Sequence, residues 1–173
     1  MSAQSVVDKF EAYLDLGRIA VPLDYKHTTC IRGLAQRFKR GKLSIDKELT
    51  DENFSKASRV LHPQEQFNVY LFRQIPSGTG GVTTTTEERM LYLRRFENPV
   101  FLGAQGCAIV LEQKCELLPK SMTCVSMDEK DHLWSDSVSY SFPYANGEFL
   151  FAYLRQDYLW FPHHLFFGFF EVD

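Results

Sequence analysis

Glu112 and Lys114, two residues apart, carry the ingredients of metal-assisted phosphodiester cleavage. A carboxylate can bind Mg²⁺, and a lysine can stabilise charge at the attacked phosphate. The segment Cys107–Leu117 alternates. Cys107, Ile109, Leu111, Cys115 and Leu117 fall on one side, and Glu112, Lys114 and Glu116 on the other. It therefore reads as a strand with the pair on one face. A metal site needs a further acid. Glu97 is the nearby upstream acid, and Asn98-Pro99 stands where another carboxylate would serve. A solvated Glu-Lys-Glu strand face accounts for the same residues.

The histidines offer less. His27-Thr28-Thr29 matches the His-x-Thr element of some phosphoesterases and ADP-ribosyl transferases. Two-histidine phosphoesterases need a second copy, and neither His132-Leu133-Trp134 nor His163-His164-Leu165 supplies it. His163 and His164 follow a proline in a turn, where adjacent rings are expected to diverge. Cys30, Cys107, Cys115 and Cys124 lack the paired spacing of a zinc site, so neither a metal nor a cofactor is expected. There is no G-x-S-x-G elbow, phosphate-binding loop or dinucleotide fingerprint.

Two surfaces suit binding. Lys26–Lys42 holds six bases (Lys26, Arg32, Arg37, Lys39, Arg40, Lys42) and no acid. Arg37, Lys39, Arg40 and Lys42 gather at an expected helix end, where the helix dipole favours cations whether or not they have a partner. As a functional surface they would meet an acidic protein or nucleic-acid phosphate. The second surface is aromatic. Fourteen of the twenty-five aromatics lie in residues 132–173, with five acids and the single base Arg155. That charge repels phosphate, so the surface suits a basic protein and not a nucleic acid.

The elements that position these groups follow from length and pattern. A chain of 173 residues with 45% apolar and 24% charged content builds one globular core. A net charge of −3 rules out a protein that is a phosphate binder as a whole. No basic region followed by an apolar run opens the chain, and apolar runs such as Leu165–Phe170 fall far short of the ~18–20 residues of a membrane span. The expectation is a cytoplasmic protein with reduced, mostly buried thiols and no membrane partner.

Residues 1–62 read as helical. The first helix runs from Val6 with Phe10, Tyr13 and Leu14 on one face and Gly17 as its cap. The second spans Thr29–Arg40, and the third starts at Thr50 and ends before Pro63. Residues 63–173 read as β-rich. Strands are expected over Phe67–Ile75, Cys107–Leu117, Met122–Met127 and Leu165–Val172, the last buried on both faces. Glu87–Phe96 fits two readings: a Thr84/Glu87 capping box favours a short helix, while the threonine run with Leu91 and Leu93 suits a strand, and the helix is the reading taken. Asn146-Gly147 favours a two-residue hairpin turn that pairs Tyr144 with Phe149, Phe142 with Phe151 and Tyr140 with Tyr153.

The resulting expectation is a single α+β domain over residues 1–173. N-terminal helices pack on a mainly antiparallel sheet formed by the C-terminal two-thirds. With no convincing catalytic set, the function expected is stoichiometric association, as in an inhibitor, an immunity or antitoxin-like protein, or a regulatory subunit. The contact would be the basic face (Arg37, Lys39, Arg40, Lys42) or the acidic aromatic C-terminal region, and the partner another protein. Nucleic acid is an alternative at residues 26–42. The alternative class is an enzyme with a pocket in a curved sheet, acting on a small or phosphate-bearing substrate through His27 or through Glu112 and Lys114.

Removing residues 165–173 takes Phe166, Phe167, Phe169 and Phe170 out of the core. Each buried side chain of this size is worth roughly 1.5–3 kcal/mol, and a domain's whole stability is about 5–15 kcal/mol. The truncated chain should show no cooperative thermal transition by circular dichroism. A soluble truncation that melts cooperatively would refute the expectation.

Overall fold

Leu165–Glu171 is apolar at nearly every position, so as a strand it needs cover on both faces. The fold supplies that cover from two helices. The computed structural model describes residues 6, 8–25, 42–45, 57–76, 83–120, 122–129, 137–143, 148–155 and 159–172. In chain order the elements are β1 (Phe10–Ala20), β2 (Lys42–Ile45), β3 (Gln66–Gln74), α1 (Thr86–Leu93), β4 (Pro99–Val100) and α2 (Gly103–Lys114). A 3₁₀ turn over Cys115–Leu117 follows, and then β5 (Cys124–Ser126), β6 (Ser137–Pro143), β7 (Glu148–Arg155) and β8 (Leu165–Glu171). The strands form one sheet in the order β1-β3-β8-β5-β6-β7-β2, with β4 also paired to β8. The β2–β7 and β5–β8 pairings are parallel and the others antiparallel.

β8 sits between two cores. Leu165, Phe167 and Phe169 pack with Leu16, Ile19, Phe67, Val69, Leu71 and the α2 residues Cys107, Ala108, Val110 and Leu111. Phe166 packs on the other side with Phe10, Phe72, Trp160 and the α1 residues Met90, Tyr92 and Leu93. The architecture is α+β with a mainly antiparallel sheet, and among the described residues the helices α1 and α2 are central in the chain, one on each face, where N-terminal helices on one face were expected.

The first expected helix is a strand. β1 pairs with β3 from Phe10↔Gln74 to Ala20↔Gln66, and two register shifts, at Ala12/Leu14 and Asp15/Gly17, break its alternation. Asp15 Oδ1 accepts the Gly17 N–H at 2.7 Å, and Gly17 takes the left-handed φ of 72°. The bulges let Phe10 reach the α1 face and Leu16 and Ile19 the α2 face. Their spacing consequently imitates a helical stripe. The second expected helix lies outside the described residues. Of the third, the described residues 57–61 are not helical.

The expected strand at Cys107–Leu117 is mostly α2. Nine consecutive residues, Gly103–Leu111, are buried, which marks a helix apolar on every side. Gly103 N–H donates to the Met127 carbonyl at 2.9 Å. The Asp128 carboxylate lies 2.9 Å from where a Cβ on Gly103 would stand, at the positive end of the helix. Cys107, Cys115 and Cys124 are buried and unbridged, and burial pushes the Cys124 thiol up to about 12. Cys30 lies outside the described residues.

The short helix is present as α1, with its capping box one residue later than expected. Glu88 N–H donates to Thr85 Oγ1 at 3.1 Å, and Glu88 Oε2 accepts the Thr85 N–H at 2.8 Å. The hairpin is present in a different register. Tyr140 pairs with Ala152 and Phe142 with Leu150, one residue out of step with a two-residue turn at Asn146-Gly147. A slip of one residue reverses the faces, so the expected aromatic pairs are not formed.

Two glycines mark where helices touch β8. A Cβ on Gly106 would lie 2.5 Å from Leu102 Cβ and 2.8 Å from Phe169 Cζ. One on Gly168 would lie 2.6 Å from Phe72 Cε2 and 2.9 Å from Leu93 Cδ2. In an open helix, Gly→Ala stabilises by about 1 kcal/mol. Here overpacking costs about 1–3 kcal/mol. Gly106→Ala and Gly168→Ala should each lower the urea midpoint, and a stabilised Gly106→Ala would contradict the close approach.

Candidate functional site

Of the residues singled out in the sequence, Glu112 and Lys114 have described side chains, and the two do not share a face. His27, Arg37, Lys39 and Arg40 lie outside the described residues. Lys42 opens β2, the edge strand that runs parallel to β7. Glu112 and Lys114 stand in the last turn of α2, not on a strand. Two residues along a helix turn the side chains about 200° apart. Glu112 lines a shallow groove of about 700 Å³ with Ala20, Val21, Pro22, Leu23, Gln64, Gln66 and Gln113. The ammonium of Lys114 lies instead 3.8 Å from where a Cβ on Gly17 would be. The groove wall is structural, because Gln113 accepts the Ala20 N–H at 3.1 Å and donates to the Ala20 carbonyl at 2.6 Å. Among the described residues no group of three His, Cys, Asp or Glu is placed to hold a metal ion. Nor is any helix among them long and apolar enough to cross a membrane.

The structure assembles a different set at the turn that leads into β8. Trp160 is fully buried. Its backbone donates to Thr84 O at 2.8 Å and accepts from Thr84 N at 2.9 Å. Its indole N–H donates to Thr86 Oγ1 at 2.9 Å. The residues on either side point outward, with Leu159 52% and Phe161 43% exposed. Pro162 then occupies the second position of a turn, which its fixed φ favours. The turn closes with His164 N–H donating to Phe161 O at 3.0 Å. Phe161 N–H donates to His164 Nδ1 at 3.1 Å. The Phe161 ring stacks on His163 at 5.8 Å, with 11° between their planes. The rings of His163 and His164 meet edge-on at 4.2 Å, so they do not diverge. Beyond the turn, Leu165 N–H donates to Thr123 O at 2.8 Å.

Arg89 of α1 ties this turn down from beneath. It is fully buried. Nε donates to Thr84 Oγ1 at 3.1 Å, and Nη2 reaches the Phe161 carbonyl at 3.4 Å. The guanidinium lies over the rings of Trp160 (5.3 Å) and Phe166 (4.9 Å). Burial lowers its pKa to about 9, against the pull of Glu88. Burial alone would raise the Glu88 pKa, but hydrogen bonds from Lys9 and Thr85 lower it on balance. Lys9 Nζ sits 2.6 Å from Glu88 Oε1.

None of Thr84, Thr86, Arg89, Trp160 or His164 was among the expected site residues. One signal would have found Arg89. Thr86, Arg89, Met90 and Leu93 follow the i, i+3, i+4, i+7 spacing of a buried helix stripe, which places a charge inside. Comparison with known protein families, with curated proteins and with solved structures finds no match for the chain.

His164 is held neutral. Burial, then His163 and Arg89, lower its pKa from 6.5 to about 4. A base that is harder to protonate when folded stabilises fully above the unfolded pKa, and that contribution is lost as the pH falls from 6.5 towards 4. The thermal midpoint should fall across that window. His164→Asn keeps an acceptor for the Phe161 N–H and does not titrate, so it should flatten that part of the profile. An unchanged profile in this variant would contradict the burial of the ring.

Proposed function

We propose that this chain acts by stoichiometric association with a protein partner, through the Leu159–His163 turn of its acidic, aromatic C-terminal region. The observation that carries the reading is the pair of exposed apolar side chains, Leu159 and Phe161, on either side of the fully buried Trp160. A side chain fixed before contact loses little freedom on binding. Apolar and aromatic anchors of this kind dominate binding energies. The acids of residues 132–173 give the region a charge that speeds capture of a basic partner. The competing reading places the contact on the basic residues Arg37, Lys39, Arg40 and Lys42.

Native mass spectrometry of the protein purified from its own host should show a heteromeric species. Leu159→Asp and Phe161→Asp should each weaken that species by about 2 kcal/mol or more. Both lie on the surface, so the melting temperature should stay nearly unchanged. Retention of the partner by both variants, with loss on reversing Arg37, Lys39 and Arg40 to Glu, would move the contact to the basic surface.

A further inference from the structure

Gln64 stands where glycine is favoured. It is the third residue of the turn His62–Glu65, in which Pro63 is second and the Glu65 N–H donates to the His62 carbonyl at 3.2 Å. A turn with proline second and a left-handed third residue favours glycine or asparagine there. Gln64 takes that conformation, with φ 72°. Asn98, with φ 51°, is the other non-glycine residue to do so among the described residues. Asparagine is enriched in this region and glutamine is not. Strain of this kind clusters at ligand sites, and here it is held in place. Gln64 N–H donates to the Val21 carbonyl at 2.9 Å, and the Val21 N–H donates to the Glu65 carbonyl at 2.8 Å. Glu65 Oε2 accepts the His62 N–H at 2.8 Å.

The strained residue lines the groove of about 700 Å³ beside the last turn of α2. Gln64, Gln66 and Gln113 bring three carboxamides to it, and Pro22 and the 75% exposed Leu23 bring apolar surface. A carboxamide carries a donor and an acceptor in one plane, the pair that a peptide group requires. Gln113 already uses its own in this way. It accepts the Ala20 N–H at 3.1 Å and donates to the Ala20 carbonyl at 2.6 Å. Gln66 Oε1 accepts from Arg18 Nη1 at 3.2 Å, which leaves its NH₂ end to meet a carbonyl. Among the described residues that line the groove, Glu112 is the charged one, and it repels an acidic ligand.

We propose that this groove binds a short, uncharged, extended peptide segment, read through its main chain by the carboxamides of Gln64 and Gln66. Main-chain hydrogen bonds supply the affinity in such recognition, and an apolar side chain of the segment packs on Leu23 and Pro22. Glycine at residue 64 would relieve the backbone and remove one of the two reading groups. The groove is lined by none of residues 159–163, so the contact proposed for Leu159 and Phe161 stands without it.

The test titrates the full chain with the neutral probe acetyl-Ala-Leu-Ala-amide. The readouts are the side-chain NH₂ resonances of Gln64 and Gln66 and the melting temperature. Two contrasting peptides are the same probe methylated at every peptide nitrogen, and acetyl-Glu-Leu-Glu-amide. The probe should shift both resonances saturably, and each contrasting peptide should bind about tenfold more weakly. Gln64→Gly should bind the probe about fivefold more weakly, the worth of one hydrogen bond. It should melt no lower than wild type, because glycine takes the left-handed conformation without strain. Glu112→Gln should bring the acidic peptide to the affinity of the neutral one. Leu159→Asp and Phe161→Asp should bind the probe as wild type does. The proposal is overturned by no saturable shift, by a methylated or acidic peptide that binds as well as the probe, or by Gln64→Gly binding as tightly as wild type. It is also overturned if Gln64→Gly melts lower, since the side chain would then serve the fold, if Glu112→Gln still discriminates against the acidic peptide, or if either Asp variant loses the probe.

Discussion

β8 has to satisfy two cores and three neighbouring strands at once, and most of the molecule follows from that demand. Antiparallel β3 runs along one edge from Phe67↔Glu171 to Phe72↔Phe166. The other edge is shared, with β5 pairing at Leu165 and Phe166 and β4 pairing at Phe169 and Phe170. Neither face nor edge is left to solvent along the strand's middle. That accounts for a helix on each face, and for glycine at residues 106 and 168, where the helices come closest. It also fixes the residues just before the strand. Leu165 is hydrogen-bonded to Thr123 and Trp160 to Thr84, so the turn between them has both ends anchored.

What could be read from the sequence depended on whether a pattern had one physical cause. β8 was legible because continuous apolar character over the six residues Leu165–Phe170 has few solutions besides a doubly covered strand. α1 was legible through its capping chemistry, although four consecutive threonines allowed the box to be placed one residue early. β1 was misread because its two bulges move apolar residues between faces, and the resulting spacing matches a helix. α2 was misread for the opposite reason. A helix buried along nine residues has no polar stripe, and the alternation at its charged end looked like a strand. The hairpin strands were visible, but register is set by turn geometry, and one residue separates the expected ladder from the observed pairs.

The candidate site was the least legible part. Sequence patterns drew attention to Glu112 and Lys114, which α2 turns to different sides. The turn that gathers Trp160, Phe161 and His164 depends on long-range contacts with Thr84, Thr86 and Arg89, some 70 residues earlier. Burial of Trp160 and exposure of its two neighbours form a local period-two pattern, which only the strand-like bridge to Thr84 makes meaningful. Leu159 and Phe161 are therefore displayed by the same packing that closes the core on the α1 face.

The measurement that bears most directly on this account is hydrogen–deuterium exchange of the protein, free and in the heteromeric complex proposed for it. The account predicts that the backbone amides of residues 159–164, Pro162 apart, slow on complex formation while the amides of β8, already slow in the free protein, change little. Slowing confined to residues 26–42, with 159–164 exchanging as in the free protein, would contradict it.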